Sequence, residues 1–250
     1  GCFNGGDIVD IIVKQPATAN FISRHLYNFF VEDEPPVSSW SIEPPRNVEA
    51  IKRLADVFME TGGQIRPLLK YLFNSDFFKE ATCFKKVKSP TELIVGVLKQ
   101  TGEFNDPTPG IHEFGLAVIN NDLYEGTMSI MGQRLMSPPN VEGWHTGHEW
   151  IDSGTLSERI SFVEEQFQDT SKQGVKSMVN LIGNLNDDPV ALVDRCLDIL
   201  GAIYVSEQTY DSLIAYAKEL KVMQNHNGDT IVGVHNLIQM ITATVDYQFE

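Results

Sequence analysis

Residues 137–159 read SPPNVEGWHTGHEWIDSGTLSER, a concentration of special residue types that no other part of the 250-residue chain matches. The stretch contains two prolines, three glycines, two tryptophans and two histidines, and helical patterns flank it on both sides. Proline and glycine end helices and set the conformation of turns. The stretch therefore predicts a structured loop between two helices, with Asp152 or Ser153 capping the second one.

Helical periodicity dominates the chain on both sides of this loop. Before the loop, helices are predicted over residues 7–13, 19–31, 47–60, 65–73, 90–101 and 111–131. After it, they are predicted over residues 153–167, 175–182, 189–200, 207–220 and 229–249. Strand-like alternation is nearly absent. The sequence thus predicts an all-α fold, a multi-helix orthogonal or bundle-like domain with long Pro/Gly-rich loops and no significant sheet.

Start signals and linkers define the organisation within this fold. Ser89, Pro90 and Glu92 form the pattern of a capped helix start, with proline in the first turn and an acid at the third position. A polar linker near residues 168–174 suggests a helical core over 1–168 and a C-terminal helical subdomain over 169–250. One continuous packing of both parts is the alternative. The chain opens on Gly1 within a loop-like segment, and we expect it to be the C-terminal part of a longer protein.

Composition restricts the classes of partner. The net charge is −15, from 34 acidic and 19 basic residues. Nucleic acid and anionic lipid both require clustered basic side chains, so neither is expected to bind. No apolar run is long enough to predict a membrane span in this segment. The three cysteines are far apart and match neither a disulfide framework nor a zinc-binding spacing; they are Cys2, Cys83 and Cys196.

Four ordered segments resemble a known family. They read QPATANFISRHLYNFF at 15–30, LKYLFNSDFF at 69–78, KVKSPTEL at 86–93, and PPNVEGW at 138–144 followed by WI and TLSER. These segments are similar to signature segments of the DUF1800 family of bacterial proteins of unknown function, and together they span about 145 residues. The tail beyond Phe167 is less diagnostic, although its last helix resembles the terminal helix of the family.

The resemblance implies a helical protein whose N-terminal half lies outside this chain. Members of the family are often exported, which implies a periplasmic or extracellular location. They are often encoded beside DUF1501 proteins, which resemble sulfatases and alkaline phosphatases, and this implies a DUF1501-type protein as a partner. No catalytic residues are established for the family, so the resemblance implies no mechanism.

Within the 137–159 stretch, a polar cluster is the first candidate site. It consists of His145, His148, Glu149 and Asp152, spaced three or four residues apart. Histidine and carboxylate ligands at this spacing can share a divalent metal ion when they lie on one helical face. The intervening Thr-Gly disfavours a regular helix, so a glycine-rich loop with solvated or hydrogen-bonded histidines is the simpler interpretation. No cofactor is predicted, and His145 and His148 are only weak candidates for metal ligands.

Two tryptophans flank that cluster and suggest a second use for it. Trp144 and Trp150 can stack on sugar rings while neighbouring acids bind the hydroxyl groups. A glycosidase needs two carboxyl groups about 5–10 Å apart, and Glu142, Glu149 and Asp152 are the available acids. The alternative, which we favour, is that both tryptophans anchor the loop to the core and bond their N–H groups to the backbone.

Basic residues outside the stretch provide secondary candidates. Arg24 and His25 lie beside an apolar helical stripe, where Arg24 is expected to bridge a buried carboxylate and His25 to sit in the core. Lys85, Lys86 and Lys88 form the densest basic cluster and precede the Ser89 cap. An anion at that helix start is physically reasonable, but a solvated turn is the simpler interpretation.

Three functional hypotheses follow, from different classes. The first is an exported helical protein without catalytic activity that binds or assembles with a sulfatase-like DUF1501-type protein. The second is a module that binds or hydrolyses cell-envelope polysaccharide with the loop at 143–152. The third is a metal-dependent enzyme that uses His145, His148 and one acid. The common catalytic signatures GxSxG, GxxxxGK[ST] and GxGxxG are absent from the sequence, so we rank the hypotheses in this order.

Overall fold

The computed structural model describes residues 3–81, 85–102, 123–141, 143–183, 187–227 and 230–249. Within these residues the chain forms α-helices and short 3₁₀ helices, with no strand, which confirms the predicted all-α class. The α-helices are α1 Gly5–Val13, α2 Pro16–Phe30, α3 Val48–Glu60, α4 Ile65–Asn74, α5 Asp76–Ala81, α6 Pro90–Thr101, α7 Leu123–Ile130, α8 Ser153–Gln168, α9 Gln173–Ile182, α10 Pro189–Ile199, α11 Glu207–Asn227 and α12 Thr230–Thr242.

Side-chain caps explain where several of these helices begin. Ser89 accepts a hydrogen bond from the backbone of Glu92, and the Glu92 carboxylate accepts one from the Ser89 N–H at 2.8 Å. This capping box is the one predicted from the sequence. Asp152 caps α8 in the same manner. Gly102 ends α6 with a φ of 76°, a left-handed conformation that glycine adopts without a Cβ clash.

The chain divides into two compact units, the first up to residue 87 and the second over residues 88–249. In the first unit, α2 packs on α3, α3 on α4, and α4 on α5, while α1 rests against α2. Their shared apolar stripes form its core, whose largest buried side chains are Tyr27, Leu54, Phe58, Leu68 and Leu72.

The second unit is built around α8 and α12, which pack against each other. Helices α6 and α7 lie against α8, and α9, α10 and α11 complete the packing against α12 and one another. Its core includes Ile94, Val163, Phe167, Leu213 and Ile238. The contacts place residues 88–249 in one unit, and the subdomain boundary predicted at 168/169 stays a prediction within it.

The last helix is shorter than predicted. α12 ends at Thr242 and a 3₁₀ helix covers Asp246–Gln248, whereas the sequence predicted one helix over 229–249. The Thr242 hydroxyl donates to the carbonyl of Gln239, and that of Thr244 to the carbonyl of Ile241. Such local side-chain bonds compete with continuation of a helix.

Two further predictions can be compared with the structure only over the described residues. The helix predicted over 111–131 is described only as α7, and the remainder of that prediction lies outside the described residues. Among the described helices, none combines the length and apolar composition that crossing a membrane requires.

Candidate functional site

The segment between α7 and α8 begins with a tight connection to α6. Gly132 adopts a left-handed φ of 97° directly after α7, and the Gln133 N–H donates to the carbonyl of Met128 at 2.8 Å. The Gln133 side-chain oxygen accepts hydrogen bonds from both the backbone N–H and the hydroxyl of Thr91, each at 2.8 Å. These bonds fix the start of the loop to the first turn of α6.

The two tryptophans fix the other end of the loop. Trp150 is only 4% exposed, and it ends the 3₁₀ helix Gly147–Trp150. Its carbonyl accepts a hydrogen bond from the Thr155 hydroxyl at 3.0 Å. Trp144 is half-buried, and its indole N–H donates to the carbonyl of Arg134 at 3.0 Å. Because Trp150 is buried and the Trp144 N–H is bonded to the loop itself, both side chains hold the loop in place.

The predicted polar cluster separates into parts with different partners. His145 Nδ1 lies 3.3 Å from Glu149 Oε1, and the other oxygen of Glu149 accepts a hydrogen bond from the Thr146 N–H at 3.4 Å. The His148 ring instead packs edge-on against Phe249, with the ring centroids 5.8 Å apart. Glu142 lies outside the described residues. Among the described residues, no three His, Cys, Asp or Glu side chains are grouped so that they could hold a metal ion.

Asp152 has a structural partner of its own. Its carboxylate accepts hydrogen bonds from the backbone N–H groups of Thr155 at 2.8 Å and Gly154 at 2.7 Å. These bonds hold the pKa of the exposed Asp152 carboxyl below its ordinary value. These bonds favour the charged form of Asp152. They also hold its side chain at the start of α8.

Arg159 connects α8 to distant parts of the second unit. The side chain is fully buried. Its Nε donates to the side-chain oxygen of Gln248 at 2.8 Å, and its Nη2 donates to the carbonyl of Lys88 at 2.7 Å. The remaining nitrogen, Nη1, is buried without a hydrogen-bond partner, as is the amide nitrogen of Gln248. Burial lowers the pKa of Arg159 to about 10.

Apolar side chains are exposed at the end of α7 and along the loop between Gln133 and Trp144. Met136 is 94% exposed and adopts a φ of 59°, a left-handed conformation that is unusual for a residue with a side chain. Val141 is fully exposed, Ile130 is 63% exposed, and Leu135 is partly exposed. We call residues 130–141 the apolar loop. Its sequence, IMGQRLMSPPNV, contains one basic residue and no acid, in a chain of net charge −15.

Sequence patterns alone do not identify these apolar residues as a functional site. A signal was present, because apolar residues on both sides of Pro138-Pro139 cannot be placed on a regular helix or strand. Their exposure, however, depends on how α6 and α8 pack around the loop, and no local pattern contains that information. The chemical types of the residues at 144–152 predict a site there, but Trp150 and Asp152 hold the loop in the structure.

The secondary candidates in the first unit are also part of a structural network. Arg24 is buried, and its Nε donates to Glu34 Oε2 at 2.7 Å, the buried carboxylate bridge expected from the sequence. The Arg24 guanidinium lies 4.5 Å from the centre of the Trp40 ring. His25 is half-buried between Phe21 and Trp40, and burial lowers its pKa. These contacts hold the proline-rich loop after α2 against that helix.

The contacts of the lysine cluster differ from those of the solvated turn that the sequence predicts. Lys86 Nζ donates to the carbonyl of Asn28 at 3.3 Å and lies 4.0 Å from a carboxylate oxygen of Asp33. Lys88 Nζ donates to the carbonyl of Tyr247 at 2.7 Å and lies 4.3 Å from the centre of the Tyr247 ring. Only Lys85 is largely exposed. The contacts of Lys86 and Lys88 involve residues far apart in sequence, so local spacing could not predict them.

Comparison with known protein families identifies the family to which the chain belongs. A family model described as "Protein of unknown function (DUF1800)" matches residues 1–249. No curated protein matches the chain, and neither does any solved structure.

Proposed function

The chain belongs to the DUF1800 family, and from that premise we propose that it is a binding protein whose apolar loop docks on a partner protein. The partner that we propose is a sulfatase-like protein of the DUF1501 type, as the family resemblance implies. The same resemblance implies that binding takes place outside the cytoplasm. The observation that carries the proposal is the exposure of Met136 and Val141 on a loop that is anchored at both ends.

The exposed side chains offer enough binding energy for such a role. Full burial of a Met, Val or Ile side chain contributes about 1.5–3 kcal/mol. Met136, Val141 and Ile130 together therefore offer about 5–9 kcal/mol. Association costs at least about 4 kcal/mol in lost translational and rotational freedom. A loop that is already ordered adds little further cost, because its backbone does not have to be fixed on binding.

The charge pattern of the loop supports an apolar contact. The centres of protein–protein interfaces are depleted of charged residues, and methionine is enriched there. The apolar loop has this composition, with Arg134 as its one charged residue. Hydrogen bonds of Gln133 and of the half-buried Trp144 hold the two ends of this loop. This arrangement suits a pocket or groove on a folded partner better than a charged polymer.

The strained backbone of Met136 is consistent with a role outside folding. A left-handed conformation costs a residue with a side chain about 1–2 kcal/mol. Met136 makes no compensating burial, since its side chain is almost wholly in solvent. Such strain is found where surrounding structure fixes the backbone for a purpose other than stability.

Co-expression with a DUF1501-type protein tests the proposal. We expect the two chains to elute together from a sizing column at micromolar concentration. We expect the double variant Met136→Ser with Val141→Ser to elute separately from the partner. The matched control is Val222→Ser with Met223→Ser, because this valine and methionine are also exposed, at 59% and 57%, but lie on α11. Separate elution of the unmodified pair would refute the proposed partner.

A further inference from the structure

An open cleft in the first unit has no part in the function proposed above. It has a volume of about 420 Å³ and lies between α3, α4 and the start of α5. Glu49 and Arg53 line it from α3, Tyr71 and Asn74 from α4, and Asp76 and Phe77 from α5. Small-molecule sites in proteins usually occupy concave spaces of about 300–1,000 Å³, so the cleft has room for a small ligand.

Two of the charged groups that line the cleft, Glu49 and Arg53, are paired with each other. Arg53 Nε donates to Glu49 Oε1 at 2.9 Å, across one turn of α3. The Glu49 contact, and after it a hydrogen bond with Tyr71, raise the pKa of Arg53. The same Arg53 contact lowers the pKa of Glu49. Glu49 and Arg53 therefore both stay charged. Their remaining hydrogen-bond donors and acceptors lie beside the hydroxyl group of Tyr71.

The sign of the charges indicates what kind of ligand fits. The cleft carries one guanidinium and two carboxylates, Glu49 and Asp76. The two carboxylates would repel an anion, and Arg53 would repel a cation. A neutral ligand that carries several hydroxyl groups avoids both conflicts, because each hydroxyl can donate to a carboxylate and accept from a guanidinium. Asn74 adds to this set, since its amide donates to the Lys70 carbonyl at 2.7 Å and still offers an oxygen acceptor.

The apolar part of the cleft points to the same class of ligand. Tyr71 and Phe77 are half-buried aromatic residues on its wall. Sugar rings have apolar faces edged by hydroxyl groups, so they combine stacking on aromatic rings with hydrogen bonds to charged and amide side chains. We propose that this cleft binds a neutral saccharide, with Arg53, Glu49 and Asp76 contacting hydroxyl groups and an aromatic ring contacting a sugar face.

This site is independent of the apolar loop. The cleft belongs to the unit that ends at residue 87, and the loop belongs to the unit over 88–249. It also differs from the saccharide site that the sequence suggested at 143–152, where Trp150 is buried and Asp152 caps α8. Failure of either binding test therefore leaves the other result unaffected.

Saturation-transfer NMR on the full chain tests the inference. The probes are three neutral disaccharides at millimolar concentration: cellobiose, maltose and diacetylchitobiose. We expect transfer to the ring protons of at least one of them. We expect Arg53→Met to lower the affinity about tenfold, because it removes a charged hydrogen-bond donor. Asn74→Trp, which fills the mouth of the cleft from an exposed position, should abolish binding.

Matched controls distinguish the cleft from other surfaces. Arg66→Met removes an exposed arginine of α4 that does not line the cleft, and it should bind the disaccharide as the unmodified chain does. Circular dichroism and the melting temperature of each variant check that the fold is retained. Absence of transfer from all three probes would overturn the inference. The inference would also be overturned if Arg53→Met and Asn74→Trp bound the sugars as tightly as the unmodified chain does. Binding of inorganic phosphate or spermidine in place of the sugars would overturn it as well.

Discussion

Residues 130–141 and residues 144–159 are adjacent in sequence, and they use their side chains in opposite ways. The first segment exposes Met136 and Val141 and contains no acid. The second buries Trp150 and Arg159 and uses its carboxylate at Asp152 to start a helix. The contrast therefore lies in the large side chains: Met136 and Val141 are in solvent, whereas Trp150 and Arg159 are buried.

The difference shows how an exposed apolar surface can be kept in one conformation. The buried segment fixes its neighbour through Trp144, whose N–H bonds to the Arg134 carbonyl, and through Trp150 beside Gly132. A mobile apolar loop would lose conformational freedom on binding, and that loss would reduce its affinity. We therefore expect changes in the second segment to alter stability, and changes in the first to alter binding.

The largest change in the free energy of unfolding is expected at Arg159, which is buried in the second of the two segments. Arg159→Ala removes the donors to Gln248 and Lys88 and leaves a cavity at a fully buried position. Each of the two acceptors left without a donor costs about 1–3 kcal/mol, and the cavity adds to this loss. Urea unfolding should show this loss, and Lys176→Ala, at an exposed position on α9, should not. A loss below 1 kcal/mol would mean that Arg159 does not hold the segment.

The dependence of stability on pH gives the next effect, again in the buried part of the second unit. Both ring nitrogens of His235 on α12 are buried without a hydrogen-bond partner, and burial lowers its pKa below 6.5. The unfolded chain therefore binds a proton near pH 6.5 that the folded chain does not bind until lower pH. His235 should therefore contribute to the stability of the fold above pH 6.5. This contribution should be lost as the pH falls through the pKa of His235 in the folded chain.

His235→Leu is the variant that isolates this contribution. It removes the titrating ring and both unpaired nitrogens, so its melting temperature should fall less between pH 7 and pH 5 than that of the unmodified chain. The contribution of His25, whose pKa is also lowered by burial, remains in both proteins. Parallel curves for the two proteins would show that His235 is not the group that titrates.

A smaller effect is expected at the helix start that follows the loop. Asp152→Ala removes the acceptor for the Gly154 and Thr155 N–H groups and should lower the melting temperature by less than Arg159→Ala does. Asp152→Asn keeps an oxygen that can cap the helix, and it should retain most of the stability. Equal losses in both variants would indicate that the charge of Asp152, and not its capping bonds, matters.

The smallest change in stability is expected at Met136. Met136→Gly relieves a φ of 59° but frees the unfolded chain, and these two effects oppose each other at about 1 kcal/mol each. The melting temperature should therefore stay close to that of the unmodified chain. A large loss of stability would mean that the Met136 side chain contributes to folding, and the contrast between the two segments would then fail.

Local sequence patterns predicted the helical class and several helix starts, because capping and periodicity act over a few residues. The Ser89–Glu92 capping box is present as predicted, and Asp152 is the cap of the two predicted alternatives, Asp152 and Ser153. The contacts of Lys88 with Tyr247 and of Arg159 with Gln248 join residues that are 159 and 89 positions apart, and no local pattern contains them. The exposure of Met136 is equally a result of tertiary packing. The DUF1501-type partner stays a prediction.

Measuring both partner binding and melting temperature on the same variants tests the central claim most directly. Calorimetric titration of a purified DUF1501-type protein should give a dissociation constant for the unmodified chain. For Met136→Ser with Val141→Ser, we predict binding at least about 100-fold weaker, the equivalent of about 3 kcal/mol, with an unchanged melting temperature. The Val222→Ser with Met223→Ser control should bind normally. Equal affinity of all three proteins, or no binding by the unmodified chain, would contradict the account.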